Sequence, residues 1–291
     1  MSNMGIAFVT PSMNQARFLA DAMYSVLNQN FEGLEYVIMD GGSTDGSRQI
    51  IDCNSLKLHA SLCKKDAGQY DAINRGFLLT GGEVMGWLNS DDLHLPWTLN
   101  VVSEVFSKLP QIQWLTTSMP MTFDASSIPL FLSPVAYFSR MGILKGETLQ
   151  GNDQGFLLHG IQQESTFWRR GLWEQAGGRL ETEFDYAADF DLWMRFAKHA
   201  DIYSIIVPLA GFRRHGDQKT SRDMNRYKAQ AMESFQRHGK GFSNRRLRTF
   251  ARQVLPQQLK PLAAKLGWLY PAKIVKKNRD SGEWGIQEIL A

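Results

Sequence analysis

The chain has 291 residues, of which 43% are apolar and 21% are charged, with a formal net charge of +3. This is an ordinary composition for a soluble globular protein of one or two domains, and no apolar run reaches the roughly 18 residues that predict a membrane-spanning helix. The first residues, MSNMGIAFVT, do not resemble a secretory signal, and Cys53 and Cys63 fit neither a disulfide framework nor a zinc site. We therefore expect a cytoplasmic protein.

The charge is unevenly distributed along the chain. Residues 237–279 contain twelve Lys or Arg and no Asp or Glu, whereas the remaining residues comprise 20 basic and 29 acidic ones. Basic stretches attract anionic partners such as lipid headgroups or nucleic acid. An acidic body with a basic tail predicts that the two parts contact different partners.

The first half of the chain alternates strand and helix signals. Short apolar, strand-like runs occupy residues 6–10, 35–40, 59–63 and 84–88. Helical patterns follow them at residues 15–28, after the turn at 41–47, at 67–80 and at 96–109. Strands that alternate with helices predict parallel pairing in a doubly wound sheet.

The second half of the chain is less regular. A strand is expected at 114–118, and the pattern then weakens as far as residue 160. It returns as a strand and a short helix at 165–178, a strongly amphipathic helix at 188–200 and a strand-like run at 202–212.

Polar residues follow the strands of the first half. They are Thr10 and Pro11, Asp40 with two glycines, Asp66, and the segment 89–92. Ligands of doubly wound sheets bind at the carboxyl ends of the strands, so these positions are candidate binding residues. Asp91 and Asp92 are adjacent, and their like charges repel unless a cation or a bound ligand compensates. A helix cap or a solvated turn is the alternative for this pair.

Seven segments occur in an order that resembles glycosyltransferase family 2. They are VTPSMNQARFLADAMYSVLNQNF, EYVIMDGGSTDGS, KDAGQYDAINRG, GEVMGWLNSDD, QQESTFWRR, DFDLWMRF and RRHGDQKTS, and the resemblance covers roughly residues 4–221. The resemblance implies an α/β GT-A fold, in which a Rossmann-like mixed sheet is flanked by helices. It also implies that a sugar is transferred from a nucleotide diphosphate donor with inversion of configuration. We expect a GT-A domain at 1–221, with nucleotide-binding (1–110) and acceptor-binding (111–221) halves, and a basic helical extension at 222–291.

The resemblance assigns a set of nucleotide-sugar contacts by position. They are Thr10, Pro11, Asp40, Asp66, Arg75 and Asp91. In the family, the Thr-Pro pair and the aspartates hold the base and ribose, and the arginine faces the diphosphate. An Arg fork matches phosphate oxygens, which agrees with that role. A solvated position on its helix is the alternative for Arg75.

A metal site is implied at the acidic pair. The resemblance makes Asp92 a ligand of a divalent cation that bridges the two phosphates, places Asp91 near the ribose or a metal-bound water, and adds His215 as a further contact. Oxygen ligands suit Mg²⁺ or Mn²⁺, and such an ion would neutralise charge on the leaving diphosphate. A packed or surface histidine is the alternative for His215.

The resemblance assigns the catalytic base to Asp189, at the start of the helix at 188–200. The family usually has Glu where this chain has Ala188, which leaves the base in place but removes a neighbouring charge. Candidate acceptor contacts are Gln163, Glu164, Asp191 and Trp193. A plain helix cap is the alternative for Asp189, and a core position is the alternative for the tryptophan.

The basic tail alternates Lys and Arg with Leu, Phe, Val, Trp and Tyr, which suits a peripheral helix on an anionic membrane. A solvated appendage or a dimer contact is the alternative. With the resemblance, this predicts a hexosyltransferase on the inner face of the cell membrane that glycosylates a lipid-linked glycan in bacterial surface polysaccharide or lipopolysaccharide synthesis. We expect no nucleic-acid partner. Two other functions remain open: a nucleotidyltransferase, and a catalytically silent module that binds sugar nucleotides or glycans.

Overall fold

The centre of the protein is a nine-stranded mixed sheet. The computed structural model describes residues 4–133, 136–149, 160–216, 218–219 and 223–290, and only the backbone at residues 245, 246 and 249. In spatial order the strands are β13 (Trp284–Leu290), β12 (Pro271–Lys277), β10 (Ile202–Ile205), β6 (Trp114–Thr117), β9 (Thr166–Arg169), β4 (Val84–Trp87), β1 (Ile6–Ser12), β2 (Leu34–Asp40) and β3 (Ala60–Cys63). β9 runs antiparallel to both of its neighbours and β13 runs antiparallel to β12, whereas the other neighbours pair in parallel.

Helices cover both faces of this sheet. They are α1 (Ala16–Leu27), α2 (Ser47–Cys53), α3 (Gln69–Phe77), α4 (Thr98–Lys108), α5 (Arg140–Leu144), α6 (Arg170–Gln175), α7 (Ala188–His199), α8 (Met224–His238), α9 (Arg245–Gln253) and α10 (Lys260–Lys265). Successive side chains of a strand point to opposite faces. Accordingly, Ala7 and Val9 pack into the cluster that contains residues of α3 and α7, and Ile6 and Phe8 into the cluster that contains residues of α1 and α4.

The α/β architecture with a mixed central sheet is the one that the sequence predicts, and it is confirmed. The parallel pairing predicted for the strands of the first half is confirmed for β1 to β4, and β9 makes the sheet mixed because it enters the middle in the opposite direction. Among the described residues, no helix combines the length and the apolar character needed to cross a bilayer.

A second, four-stranded sheet lies beside the first one. Its order is β5 (Leu93–His94), β11 (Ala210–Arg213), β7 (Met121–Phe123) and β8 (Pro129–Leu132). The apolar run predicted as one strand at 202–212 is split between the two sheets, because β10 and β11 are separate strands. Pairing of β11 with β5 brings the residues after β11 close to those after β4.

The C-terminal segment is only partly helical, which corrects the expectation for 222–291. After α8, α9 and α10, the strands β12 and β13 extend the central sheet beyond β10. The reason is a β-branched apolar core in β12, where Ile274 and Val275 are buried. The domain division at residue 221 stays a prediction, with β12 in the same sheet as the strands before it.

Candidate active site

The carboxyl ends of β1, β2 and β4 meet at one edge of the sheet, because these three strands are parallel. Ser12 and Asp40, the last residues of β1 and β2, are paired in register. The Leu88 N–H donates to the carbonyl oxygen of Val9, so the segment after β4 leaves the sheet at the same edge. Three of the predicted polar strand ends are therefore neighbours.

Asp40 organises the turn that follows β2. Its Oδ2 accepts hydrogen bonds from the N–H groups of Gly42 (3.2 Å) and Ser43 (2.9 Å), and its Oδ1 accepts one from the Ser43 hydroxyl (2.5 Å). The adjacent Gly41 lies against Asp66, since a Cβ at this glycine would come 2.8 Å from Oδ2 of that aspartate. Asp40 and Asp66 are thus neighbours at this edge of the sheet. The sequence predicts that both contact one nucleotide.

Thr10 and Pro11 lie inside the sheet. Both are buried, and the Thr10 hydroxyl is hydrogen-bonded to Tyr36 Oη at 2.9 Å. Burial raises the pKa of that tyrosine far above its ordinary value, so it stays protonated. A direct nucleotide contact from the Thr10 hydroxyl does not fit this arrangement, whose effect is to join β1 to β2.

Arg75 pairs with Asp71 on its own helix, α3. Their closest atoms, Nη1 and Oδ2, are 3.5 Å apart, and both side chains are about 30% exposed. Asp71 Oδ2 also accepts a hydrogen bond from the N–H of Ala67, so the pair supports the turn before α3. The contact between Arg75 and a diphosphate stays a prediction.

A chain of hydrogen bonds supports the acidic segment after β4. Gln69 Nε2 donates to Asn89 Oδ1 (2.7 Å), and Asn89 Nδ2 donates to Asp92 Oδ2 (3.2 Å). The other carboxylate oxygen of Asp92 accepts from the Arg213 N–H at 2.9 Å. Asp92 is only 1% exposed, and burial together with the charges of Asp91 and Glu164 raises its pKa well above the ordinary value.

His215 contacts Asp91, and its predicted role as a metal contact together with Asp92 stays a prediction. Its Nε2 lies 2.9 Å from Asp91 Oδ2, and its ring packs 4.5 Å from that of Phe18. The Asp91 side chain is 19% exposed and that of His215 is 3% exposed. Of the acidic pair, Asp91 is therefore the residue that presents its carboxylate to the histidine, while Asp92 is tied to the main chain of β11.

Arg213, to which the sequence analysis assigned no role, supports this pair. Its side chain is 1% exposed, and its Nε donates to the carbonyl oxygen of Asp91 at 2.7 Å. Its guanidinium also reaches Asp21 Oδ2 (3.3 Å) and packs over the ring of Phe18. The position of this arginine, directly after the apolar run at 202–212, is the only sequence signal of this role.

Gln163 and Glu164 are buried next to the end of β4. Gln163 Nε2 donates to the carbonyl oxygen of Trp87 (2.5 Å). Gln163 Oε1 and Glu164 Oε1 are buried without a hydrogen-bond partner among the described residues. Burial raises the pKa of Glu164 to about 8, and the negative charges of Asp189 and Asp91 contribute. Glu164 therefore lies within electrostatic reach of both, and links the acidic segment to α7.

Asp189 lies in the first turn of α7, where its Oδ1 accepts a hydrogen bond from the Phe190 N–H at 2.8 Å. It is half-buried, and burial raises its pKa to about 6, although the charge of Lys219 opposes this rise. A carboxylate with this pKa is ionised near neutral pH and can still accept a proton. The position and the pKa both suit a general base.

Aromatic and basic side chains that the sequence did not single out surround Asp189. The Lys219 ammonium lies 5.5 Å from the ring centroid of Tyr70 and 5.1 Å from that of Tyr186. The Tyr70 hydroxyl donates to the carbonyl oxygen of Tyr186 at 3.0 Å. Burial, and then the charge of Asp189, raises the pKa of Tyr227 well above its ordinary value. Tyrosines are too common in cores for the sequence alone to indicate this cluster.

Asp191 does not face an acceptor, which corrects its prediction. It is 0% exposed, and its carboxylate accepts hydrogen bonds from Arg195 Nε and Ser234 Oγ, both at 2.8 Å. His238 Nε2 lies 3.1 Å from it. Burial alone would raise its pKa, but the contacts with these three residues hold it below the ordinary value. Asp191 joins α7 to α8.

Trp193 is a core residue and not an acceptor platform, which corrects the second prediction on α7. It is 2% exposed. Its indole stacks on Trp114 and Trp87, with ring centroids 5.5 and 6.1 Å apart, and meets Trp168 edge-on. The cluster fills the space between α7 and the sheet.

The donor atoms at the acidic segment fit a divalent cation. Carboxylate oxygens and an imidazole nitrogen are ligands that Mn²⁺ accepts, and Mg²⁺ takes the oxygens. The orphaned Glu164 Oε1 and the mutual repulsion of Asp91, Asp92 and Glu164 agree with a positive charge at this place. Within the described ranges, no group of three or more His, Cys, Asp or Glu side chains is arranged so that it could hold a metal ion by itself.

Comparisons with known sequences agree with these features. Residues 7–126 match the profile named Glycosyl transferase family 2. The chain is 38% identical over 108 residues to an uncharacterized glycosyltransferase of Nostoc sp. (35% of this chain, 33% of that protein) and 24% identical over 226 residues to one of Rickettsia typhi (76% and 67%). It is 30% identical over 90 residues to the putative teichuronic acid biosynthesis glycosyltransferase TuaG of Bacillus subtilis (30% and 36%). The chain thus spans about a third to two thirds of these relatives.

Solved structures share the fold at low sequence identity. TarS from S. aureus in complex with UDP-GlcNAc has a TM-score of 0.55 at 14% identity, over 89% of this chain and 78% of that one. The mannosyltransferase PcManGT from Pyrobaculum calidifontis, in complex with GDP-Man and Mn²⁺, has a TM-score of 0.56 at 15% identity, over 92% and 70%. Both comparisons support the mixed α/β architecture. Residues 7–126 thus match glycosyltransferase family 2, and over 76% of its length the chain is similar to an uncharacterized glycosyltransferase of Rickettsia typhi.

Proposed function

We propose that this protein moves a hexose from a nucleotide diphosphate sugar to a hydroxyl of a glycan acceptor, with inversion at the anomeric carbon. One observation carries the proposal: two consecutive residues of α3 contact both parts of the site, because Gln69 Nε2 donates to Asn89 Oδ1 and the Tyr70 hydroxyl donates to the carbonyl oxygen of Tyr186, three residues before Asp189. The acidic segment expected at the donor diphosphate and the candidate base are therefore both next to the start of α3. An inverting transfer requires this, because the base acts opposite the leaving group.

In this proposal Asp189 removes the proton from the acceptor hydroxyl as the hydroxyl attacks the anomeric carbon. The pKa of about 6 leaves it ionised at neutral pH. Asp91 and His215 would hold a divalent cation, and Asp92 would support them from the buried side of the segment. When bound, the cation would supply positive charge for the leaving diphosphate. Asp40 and Asp66 would receive the nucleoside.

Relatives support a nucleotide-sugar donor and a polysaccharide product. TarS is solved with UDP-GlcNAc, PcManGT with GDP-Man and Mn²⁺, and the printed name of TuaG refers to teichuronic acid biosynthesis. We therefore extend the proposal to a UDP- or GDP-sugar donor, and to the assembly of a bacterial surface polysaccharide on a lipid-linked acceptor.

The test is nucleotide diphosphate release with a panel of UDP- and GDP-sugars, with and without Mn²⁺. We expect one donor to be turned over with Mn²⁺, and Asp189→Asn to abolish turnover while donor binding persists. Asp52→Asn is a matched control, because Asp52 is an exposed aspartate in a surface ion pair. Donor binding without turnover for any acceptor mixture would favour the silent binding module. Unchanged turnover in Asp189→Asn would remove this residue as the base.

We further propose that the segment 242–266 contacts an anionic membrane. On α9 and its C-cap, Leu247, Phe250 and Val254 are 38%, 47% and 61% exposed, and they share one helix face by their spacing of three and four residues. Among the described side chains of this helix, the buried one is the small Ala251. This is the reverse of an ordinary surface helix, which buries its large apolar side chains.

The segment around α10 repeats the arrangement. Leu259, Leu262 and Leu266 are 46%, 56% and 56% exposed, whereas Ala263 is buried. Ala251 and Ala263 belong to one small apolar cluster, and the two sets of large exposed side chains, here called the apolar stripes, are not among the residues of that cluster. Large exposed apolar surfaces mark contact sites.

The charge around the apolar stripes selects the partner. Residues 240–265 contain seven Lys or Arg and no Asp or Glu. A second copy of this chain would bring like charges, whereas an anionic bilayer offers phosphate groups next to an apolar interior. An anionic lipid surface can therefore bind the basic residues through its phosphate groups and the apolar stripes through its interior. It would also keep the enzyme close to a lipid-linked acceptor.

Cosedimentation of the full chain with phosphatidylcholine vesicles, with and without phosphatidylglycerol, tests this contact. We expect binding only to the anionic vesicles, weaker at high salt, and lost in the double variant Leu262→Gln, Leu266→Gln. The matched control is Leu56→Gln with Leu78→Gln, which replaces leucines that are fully exposed elsewhere. Equal binding by both double variants, or a dimer abolished by the first one, would contradict the proposal.

A further inference from the structure

The helix α8 follows the motifs that resemble family 2, yet its side chains hold the segment that leads to Asp189. Gln230 Oε1 accepts hydrogen bonds from the N–H groups of Tyr186 (2.8 Å) and Ala187 (3.2 Å). Its amide nitrogen donates to Asp185 Oδ1 at 2.6 Å. One side chain of α8 thus binds three consecutive residues, the last of which lies two positions before Asp189.

These contacts replace a missing helix cap. The N-cap of α7 is Ala187, which has no side-chain oxygen and makes no side-chain cap hydrogen bond. N–H groups at a helix start lack partners within the helix. Gln230 provides acceptors for the residues that enter α7, and the Tyr70 hydroxyl donates to the carbonyl oxygen of Tyr186 at 3.0 Å. The peptide groups on both sides of Tyr186 are therefore held by other elements.

The same helix also holds α7 beyond Asp189. Ser234 Oγ donates to Asp191 Oδ1 at 2.8 Å, and His238 Nε2 lies 3.1 Å from the same oxygen. Asp189 is therefore between two points of attachment to α8, each two residues away from it. An ionic contact, Arg226 Nη2 to Asp185 Oδ2 at 2.7 Å, secures the first point.

We propose that Gln230 is a positioning residue for Asp189: by capping the turn before α7, it sets the direction of the base towards the acceptor hydroxyl. The inference rests on the proposed function for the role of Asp189. A residue of α8 would then affect the reaction rate through the position of Asp189. Displacement of a reacting group by about 1 Å can lower the rate roughly 100-fold.

The test combines two measurements on the full chain. Hydrogen exchange of the Tyr186 and Ala187 amides reports the contact, and kcat and KM for the donor report its effect. In Gln230→Ala we expect faster exchange at these amides and a kcat about 10- to 100-fold lower, with an unchanged donor KM. Gln230→Glu combined with Asp185→Asn retains acceptor oxygens for the two N–H groups and provides an amide donor at residue 185 for the new carboxylate, so this double variant should restore protection and most of kcat. Gln236→Ala, at an exposed position on the same helix, is the matched control.

The outcomes separate this inference from the proposed function. A wild-type protein that turns over no donor would contradict the proposed function, whatever the exchange shows. With an active wild type, unchanged exchange in Gln230→Ala would show that the contact does not form. Faster exchange with unchanged kcat would show that the contact does not position the base, and either result would overturn the inference.

Discussion

The imidazole Nε2 of His215 lies 2.9 Å from Oδ2 of Asp91, although 124 positions separate the two residues in the chain. The approach is produced by β11, because the Arg213 N–H donates to Asp92 Oδ1 and the Arg213 Nε donates to the carbonyl oxygen of Asp91. The loop after β11 is therefore fixed on the acidic segment from two sides. In the proposed function, the imidazole nitrogen of His215 and the carboxylate of Asp91 would both bind Mn²⁺.

We expect Asp91→Asn and His215→Gln each to raise the Mn²⁺ concentration for half-maximal turnover by about 10- to 100-fold. The two changes should be less than additive in the double variant, because the side chains are in contact. His59→Gln is the control, since His59 is exposed on another part of the protein. An unchanged Mn²⁺ dependence in both single variants would exclude this pair as ligands.

The pH dependence of turnover should follow Asp189. Burial raises its pKa to about 6, and the base acts only when it is deprotonated. We therefore expect kcat to be constant above pH 7 and to fall about tenfold per pH unit well below pH 6. A profile that stays flat down to pH 4.5, about the ordinary range of an aspartate, would argue against a buried base.

Lys219 should control the pH at which kcat begins to fall on acidification. Its positive charge favours the carboxylate form of Asp189 and so opposes the rise in pKa caused by burial. Lys219→Met removes that charge, and the fall in kcat should begin at a higher pH than in the wild type. Lys219→Arg keeps the charge and should leave the profile in place. A shift of the Met variant to lower pH would contradict this assignment.

Local sequence features predicted much of the donor side. A short apolar strand followed by a carboxylate is a pattern within one segment, and parallel pairing then places Asp40 and the acidic segment at one edge. The acceptor side was harder to predict. Two partners of Asp191, Ser234 and His238, are 43 and 47 residues away on α8. An acidic residue in a first helical turn gives no sign of whether it points to solvent or to another helix.

The C-terminal strands were missed for a similar reason. A stretch with many Lys residues suggests an exposed helix, but in β12 the lysines alternate with buried apolar residues such as Ala272 and Ile274. This period of two is short, and only pairing with β10 makes it a strand. Position in a sheet is a tertiary property that such a segment does not specify by itself.

Asp191 should contribute to stability instead of to acceptor binding. Asp191→Ala leaves Arg195 buried without its partner, and loss of one partner of a buried ion pair costs about 3–5 kcal/mol in the free energy of unfolding. Asp52→Ala, in an exposed pair, should cost less than about 1 kcal/mol. Urea unfolding at neutral pH measures both.

The Asp191 effect should depend on pH. Its contacts hold the native-state pKa below the ordinary value, so its charged form stabilises the fold above about pH 4, the range of an unfolded aspartate. As the pH falls from there through the native pKa, this stabilisation is lost, and Asp191→Asn should approach the wild type in stability. A difference that grows on acidification would contradict the buried network.

Trp193 allows core packing to be distinguished from acceptor stacking. Its indole is 2% exposed and lies on Trp114 and Trp87, so Trp193→Ala should leave a cavity and cost about 3–5 kcal/mol in the free energy of unfolding. Trp97→Ala is the matched control, because Trp97 is 44% exposed and should lose much less. At a temperature where the variant is folded, the acceptor KM should equal that of the wild type, since the ring does not reach the surface. A raised acceptor KM with unchanged stability would show instead that Trp193 binds a sugar.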